Sequence, residues 1–303
     1  MEGKLEKPLV SILMNCYNGE KYLAEAIDSV CSQTYPNWEI VFIDNHSEDN
    51  TEEIVRQYDK KIKYYKTKEH LELGEARAFG LELCNGDFVA FLDTDDCYLP
   101  NKLERQIKQM LGNSDYQMSY TGGFFIDENG NITKQFTPEY YSGDIFSQQL
   151  KRYEINMQSV MLRNNKTIKF DRNLEFSPDY NLFMKICSKQ KVGVIKQPLV
   201  RYRKLKNSLT DKKISRWAFE MQYTLDKIFT KNPALKQKNK KYYKLAYAKV
   251  AYYYARYFIQ IGKKPSAIKV LSKYKALNVT YFALFILACL PNSIWKKIHT
   301  LKQ

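Results

Sequence analysis

The chain has 303 residues, 44% of them hydrophobic, which is ample for a large core and excludes a disordered protein. Its net charge of +15 is uneven: residues 1–203 hold slightly more acidic than basic side chains, whereas 204–303 hold 22 Lys and Arg against 3 Asp and Glu, a net of +19. The six cysteines, at 16, 31, 84, 97, 187 and 289, show no Cys-x-x-Cys spacing, which argues against a zinc site or a disulfide framework and for a reducing compartment, by default the cytoplasm. Residues 1–8 are charged and lack the apolar stretch of a secretory signal.

In chain order, residues 10–14 read as a first strand, followed by a turn at 15–19. Tyr22, Leu23, Ala26, Ile27 and Val30 then recur at helical spacing, predicting a helix to about Gln33. Residues 38–43 read as a second strand ending at Asp44-Asn45, and residues 47–50 can cap a helix that turns Ile54 and Val55 inward. A weaker strand at 62–65, a helix at 74–83 and a strand at 88–92 complete the first hundred residues. This alternation is the pattern of a parallel sheet with right-handed crossovers.

The last of these strands, Phe88-Val89-Ala90-Phe91-Leu92, carries no polar side chain and stops abruptly in Asp93-Thr94-Asp95-Asp96. Ligands of open α/β sheets bind at the carboxyl ends of the strands, and an acid cluster there suits a divalent cation with an anionic partner such as a diphosphate. The same acids also suit turn formation ahead of a helix at 101–110, which begins after Pro100. Beyond this point strands are expected at 116–125, 159–162, 192–195 and 199–202, a turn at 127–130, and helices at 144–152 and after Asp179. From 211 onward only helical patterns remain, rich in Lys and Tyr; 240–261 and 266–274 form an expected helical hairpin about Gly262. The expected domains are therefore 1–210, α/β, and 211–303, all helical and basic.

The first strand and its turn, with Ser32-Gln33-Thr34-Tyr35, Ile43-Asp44-Asn45-His46-Ser47, Ala76-Arg77-Ala78, Asn85-Gly86-Asp87, Asp93-Thr94-Asp95-Asp96 and Ser177-Pro178-Asp179-Tyr180, make the chain resemble the family-two glycosyltransferases of the GT-A fold. Each piece is weak alone; their order and spacing over about residues 8–210 are specific. The resemblance implies a Rossmann-like, mostly parallel sheet flanked by helices, and an inverting enzyme dependent on a nucleotide sugar and on Mn²⁺ or Mg²⁺, often of bacterial surface-polysaccharide synthesis. It implies that Asn15, Tyr17, Asp44 and Asn45 cradle the nucleotide base, that Arg77 approaches the ribose and phosphates, and that Asp95 and Asp96, with Asp93 in support, hold ribose hydroxyls and metal. Asp179 matches the general base, which takes the proton from the acceptor hydroxyl. It could also cap the helix that follows.

Two departures stand out. Asp44-Asn45 replaces the usual Asp-Asp or Asp-Gly, which weakens a preference for uracil because an amide both donates and accepts. The Tyr-Arg-x-His-x-x-Ser pattern becomes Tyr202-Arg203-Lys204-Leu205-Lys206-Asn207-Ser208, so either the cation is held more loosely or Arg203 or Lys206 neutralises the diphosphate where the histidine is missing. His46, His70 and His299 show no ligand spacing.

The resulting expectation is a cytoplasmic enzyme, peripheral on the inner membrane face, that moves a sugar from a UDP-linked donor to a hydroxyl of a glycan or lipid-linked acceptor. A nucleotidyltransferase on a similar fold is one alternative, but the Gly-rich phosphate loop expected at its first turn is missing. A nucleic-acid-binding protein using the basic half and its tyrosines is another, although the acids at the strand end would repel that ligand. Residues 281–290 are apolar nearly all round and too short to span a bilayer. They either lie in an anionic membrane interface or cover an apolar face of the protein.

Overall fold

The computed structural model describes residues 7–58, 60–165, 167–205 and 214–295. The chain divides into two compact units, 1–146 with 154–206, and 147–153 with 207–303. Segment 147–153 thus groups with the second unit although it lies inside the span expected for the first domain.

In the first unit, β1 (Val10–Cys16), β2 (Trp38–Asp44), β3 (Ile62–Lys66) and β4 (Phe88–Phe91) are parallel in the order β3-β2-β1-β4. All seven residues of β2 and all four of β4 are buried, which accounts for their unbroken apolar runs. Ile12, Met14, Ile40, Phe42 and Ala90 share one core with Leu23, Ile27 and Val30 of α1 (Leu23–Cys31) and with Leu103, Ile107 and Met110 of α4 (Lys102–Leu111). On the opposite face α3 (Leu73–Leu83) lies so close that a Cβ on Gly80 would come 2.4 Å from Leu13 Cδ1. The short α2 (Thr51–Val55) follows the turn after β2.

Past β4 the sheet becomes mixed, continuing through β8 (Met161–Arg163), β6 (Tyr116–Ile126), β9 (Lys191–Arg203) and the two-residue β5 (Cys97–Tyr98), with β7 (Ile132–Phe136) paired to β6. β8 is antiparallel to both β4 and β6, and β9 is parallel to β6. The two closing strands expected at 192–195 and 199–202 are one strand. Its register slips where Gly122 faces Pro198, and a Cβ on Gly122 would come 2.8 Å from Lys196 O, so the missing side chain admits the irregularity. The expected strand at 159–162 starts later, after a 3₁₀ turn at Met157–Ser159. Helix α6 (Pro178–Cys187) begins at a proline in its first turn.

The second unit holds α5 (Phe146–Lys151) from Ser147 on, and α7 (Ile214–Lys231), α8 (Pro233–Lys238), α9 (Lys240–Gln260), α10 (Lys264–Ser272) and α11 (Val279–Cys289). The hairpin of α9 and α10 closes as the sequence predicts. Gly262 takes φ +76°, Gly262 N–H reaches Ile259 O at 3.2 Å and Lys263 N–H reaches Phe258 O at 2.7 Å, a Schellman arrangement that satisfies the last carbonyls of α9. Ala255, Ile259, Ala267, Leu271, Ala288 and Trp295 form the core of α9, α10 and α11. Among the described residues no helix is long and apolar enough to cross a membrane.

Candidate active site

The carboxyl edge of β4 delivers Asp93, Asp95 and Asp96, and α3 brings Arg77 to meet them. Arg77 is buried, and its guanidinium donates through Nη2 to Asp93 Oδ1 at 3.3 Å and through Nη1 to Asp179 Oδ1 at 3.1 Å. Gly74 makes this approach possible. Its N–H donates to Leu174 O at 2.8 Å, and a Cβ there would lie 2.4 Å from that same oxygen, so only glycine lets the start of α3 touch the loop that leads to α6. Residues more than a hundred positions apart in sequence are thereby joined around one planar cation, whose fork suits two carboxylates at once.

Asp179 opens α6, where the helix N-terminus favours a negative charge. Its side chain keeps 26% exposure within otherwise dense surroundings. Burial pushes its carboxyl above the usual range, and the Arg77 charge works in the opposite direction. The outcome is a carboxylate with one oxygen held by Arg77 and a raised proton affinity, which is what a general base requires.

The three acids after β4 differ in access. Asp93 has a side chain 37% exposed, and Asp95 is partly exposed. Burial first, and the neighbouring Asp93 second, push the Asp95 carboxyl up to about 6. Asp96 is 0% exposed; its Oδ1 accepts the Arg203 backbone N–H at 2.7 Å, and its Oδ2 is buried with no hydrogen-bond partner. Burial, then Asp95 and Asp93, raise its carboxyl well above the ordinary value. Through Oδ1 this enclosed carboxylate ties the acid loop to β9, and its unpartnered Oδ2 fits the metal role that the resemblance implies for Asp96.

Among the described residues no three His, Cys, Asp or Glu side chains converge as a ready-made metal cage. The accessible pair Asp93 and Asp95 fits a hard divalent cation that takes one or two carboxylates and fills its sphere with water and phosphate oxygens.

Arg203 is held from several sides. Its Nε donates to Asp95 O at 2.9 Å, Nη1 to Asp127 O and Glu128 O at 3.2 and 3.3 Å, and Nη2 to Glu25 Oε2 at 2.5 Å, while its guanidinium carbon lies 4.3 Å from the Tyr22 ring centroid. Four of its five donors are engaged, so Arg203 clamps the acid loop with one donor left over. Lys206, the other residue expected at the diphosphate, lies outside the described residues.

Of the four residues expected around the base, only Tyr17 presents itself outward, at 51% exposure, with the His70 ring 4.3 Å away and tilted by 59°. Asp44 is fully buried, accepting from Ser47 N–H at 2.7 Å and from the Tyr64 hydroxyl at 2.5 Å. Asn45 pairs in both directions with the Leu71 backbone, at 2.8 and 2.9 Å, and Asn15 donates to Ala76 O at 3.1 Å. The side chains of Asp44 and Asn45 are thus tied into the turns, and Asn15, partly buried, commits its amide NH₂ to Ala76. His70 carried no signal in the sequence, since its meeting with Tyr17 depends on the loop after β3.

This mixed sheet with acids at the carboxyl edge of its parallel half is a GT-A-type fold. It superposes on the crystal structure of Staphylococcus aureus TarS 1-349 in complex with UDP-GlcNAc with a TM-score of 0.69 at 19% identity, covering 91% of this chain and 83% of that one. Residues 11–178 match the model of glycosyl transferase family 2, and the chain belongs to that family. It is 37% identical to an uncharacterised glycosyltransferase of Methanocaldococcus jannaschii over 67% of this chain and 73% of the relative. It is 31% identical to the UDP-Glc:alpha-D-GlcNAc-diphosphoundecaprenol beta-1,3-glucosyltransferase WfgD of Escherichia coli over 74% of this chain and 88% of the relative. Membership of this family does not favour the nucleotidyltransferase and nucleic-acid readings.

Proposed function

We propose that the chain transfers a sugar, with inversion, from a UDP-linked donor to a hydroxyl of a lipid-linked glycan, at the site bridged by Arg77. The observation that supports this is the single guanidinium joining Asp179 to Asp93, the residues read here as the base and a donor-side acid. The names of two similar proteins support the substrates: WfgD uses UDP-Glc and a diphosphoundecaprenol-linked acceptor, and TarS was crystallised with UDP-GlcNAc.

In this reading the Asp179 oxygen not held by Arg77 accepts the proton of the acceptor hydroxyl as that oxygen bonds to the anomeric carbon. The bond from that carbon to the diphosphate oxygen breaks on the opposite face, and its electron pair leaves with the nucleoside diphosphate. Arg77 keeps the base oriented. Asp96 and Asp95, with Asp93 in support, would hold Mg²⁺ or Mn²⁺, whose chemistry there is neutralisation of charge on the departing diphosphate. Tyr17, exposed beside His70, offers a ring for the base to stack on.

The test is a panel of nucleotide sugars, each scored for hydrolysis with Mn²⁺ and with chelator. Release of UDP from one UDP-sugar, lost with chelator, is the expected result. A folded protein that neither hydrolyses nor binds any UDP-sugar overturns the proposal.

A further inference from the structure

Eleven large hydrophobic residues are exposed among the described residues, and five of them fall between 279 and 294: Val279 at 84%, Phe282 at 53%, Ile286 at 43%, Leu290 at 40% and Ile294 at 40%. At about 100° per residue, Val279, Phe282, Ile286 and Leu290 occupy one narrow stripe along α11 and its C-cap. The opposite face is core: Ala288 is 1% exposed, and Leu284, Phe285 and Leu287 pack on the cluster formed with α9 and α10. The apolar run of the sequence is thus two stripes back to back, one packed and one bare.

The bare stripe is framed by cations. Lys275 precedes α11, its Nζ 5.2 Å from the Phe285 ring centroid, and Lys264 Nζ donates to the carbonyls of Cys289 and Leu290 at 3.0 and 2.8 Å. No Asp or Glu occurs anywhere after Asp226, a stretch that carries seventeen Lys and Arg. Such a surface repels a second copy of itself. Nucleic acid would match the charge but has no use for an aliphatic stripe of Val, Ile and Leu. A bilayer with anionic headgroups matches both parts, taking the stripe into the acyl boundary and the lysines among the headgroups.

We infer that the outward face of α11, Val279, Phe282, Ile286 and Leu290, docks the protein on an anionic membrane surface without crossing it. This deepens the proposed lipid-linked acceptor, on which it rests for its biological sense, by naming the surface that would bring the enzyme to it.

The experiment is sedimentation of the full chain with phosphatidylcholine vesicles and with vesicles containing phosphatidylglycerol, at low and high salt, for the wild type, Ile286→Glu, and Phe282→Glu/Ile286→Glu. The wild type should bind the anionic vesicles, weaken at high salt, and bind pure phosphatidylcholine poorly. The double variant should lose at least tenfold in partitioning while its melting temperature and its donor hydrolysis stay unchanged. Failure of the wild type to bind anionic vesicles at low salt, or equal binding by the folded double variant, overturns the inference. So does a concentration-dependent dimer in solution that the double variant abolishes, since the stripe would then be an interface between copies. Donor hydrolysis is read separately with soluble substrate, so loss of docking and failure of the transferase reading are told apart.

Discussion

In the first unit cations are held by precise geometry: Arg77 lies between Asp93 and Asp179, and Arg203 between Glu25 and the Asp95 carbonyl. In the second unit several cations rest on rings, Lys227 over Tyr223 at 4.2 Å, Lys236 over Tyr243 at 4.9 Å and Lys275 over Phe285 at 5.2 Å, and no acid follows Asp226. The first arrangement fixes direction, because a guanidinium fork and a carboxylate meet in one way. The second leaves the charge outward and tolerant of position, which suits attraction to a surface and not chemistry at a point. Substitutions in the two units should therefore fail differently, abruptly at the bridged site and gradually over the basic helices.

The largest effect is expected at the bridge. Arg77→Ala should lower transfer by roughly a hundredfold or more, the scale of general acid–base catalysis, because Asp179 loses the partner that orients it. Arg77 is also the charge that lowers the Asp179 proton affinity, so the acid limb of the pH–rate profile should move to higher pH. Arg77→Lys keeps the charge without the fork. It should retain more of the pH profile than of the rate, with circular dichroism confirming that both variants fold.

Next comes the ion. With the Asp95 carboxyl pushed up to about 6, a proton competes with Mn²⁺ there. UDP affinity in the presence of Mn²⁺, read by calorimetry, should fall about tenfold per pH unit below that value. Asp95→Asn should remove the dependence. An affinity flat from pH 7 to 5 would move the cation elsewhere.

A smaller effect distinguishes anchor from ligand. Asp96→Ala should cost about 1–3 kcal/mol in urea unfolding by leaving the buried Arg203 N–H unpaired. Asp96→Asn, which keeps an acceptor, should cost less in stability while losing Mn²⁺-dependent UDP binding; unchanged binding in the folded variant would leave Asp96 an anchor alone.

The smallest effect concerns Lys102, which is 0% exposed, has its Nζ 3.4 Å from Val160 O and 4.0 Å from the Tyr98 ring centroid, and is pushed well below its ordinary pKa by burial. Below 10.5 the unfolded chain binds a proton that the folded chain does not, so this residue makes stability rise as pH climbs from its depressed folded value toward 10.5. Lys102→Met should flatten that rise and gain about 1 kcal/mol near neutral pH, measured by thermal melts across pH.

What could be read in the sequence was whatever a local pattern encodes. The runs of β1, β2 and β4, the helix of Leu23, Ala26, Ile27 and Val30, and the acids after Leu92 follow from burial period and strand-end chemistry. The clamp on Arg203 could not be read, because its partners Glu25, Asp95, Asp127 and Glu128 come from three separate turns and helices. Nor could the inward commitment of Asp44, since Tyr64 reaches it from a neighbouring strand. β7 stayed hidden because four of its five residues are exposed, so Thr133, Lys134 and Gln135 leave no apolar period to detect. The two readings of 281–290 came from hydropathy alone, which cannot resolve that opposite faces of one helix have opposite fates.

The central claim is that Asp179, held by Arg77, is the base of a sugar transfer, and Asp179→Asn tests it most directly. UDP binding by calorimetry and transfer from the identified UDP-sugar would be measured on the same folded preparation. The account predicts near wild-type UDP affinity with transfer reduced roughly a hundredfold or more, because the amide keeps the shape but cannot take the proton. Near-normal turnover in the variant would contradict it.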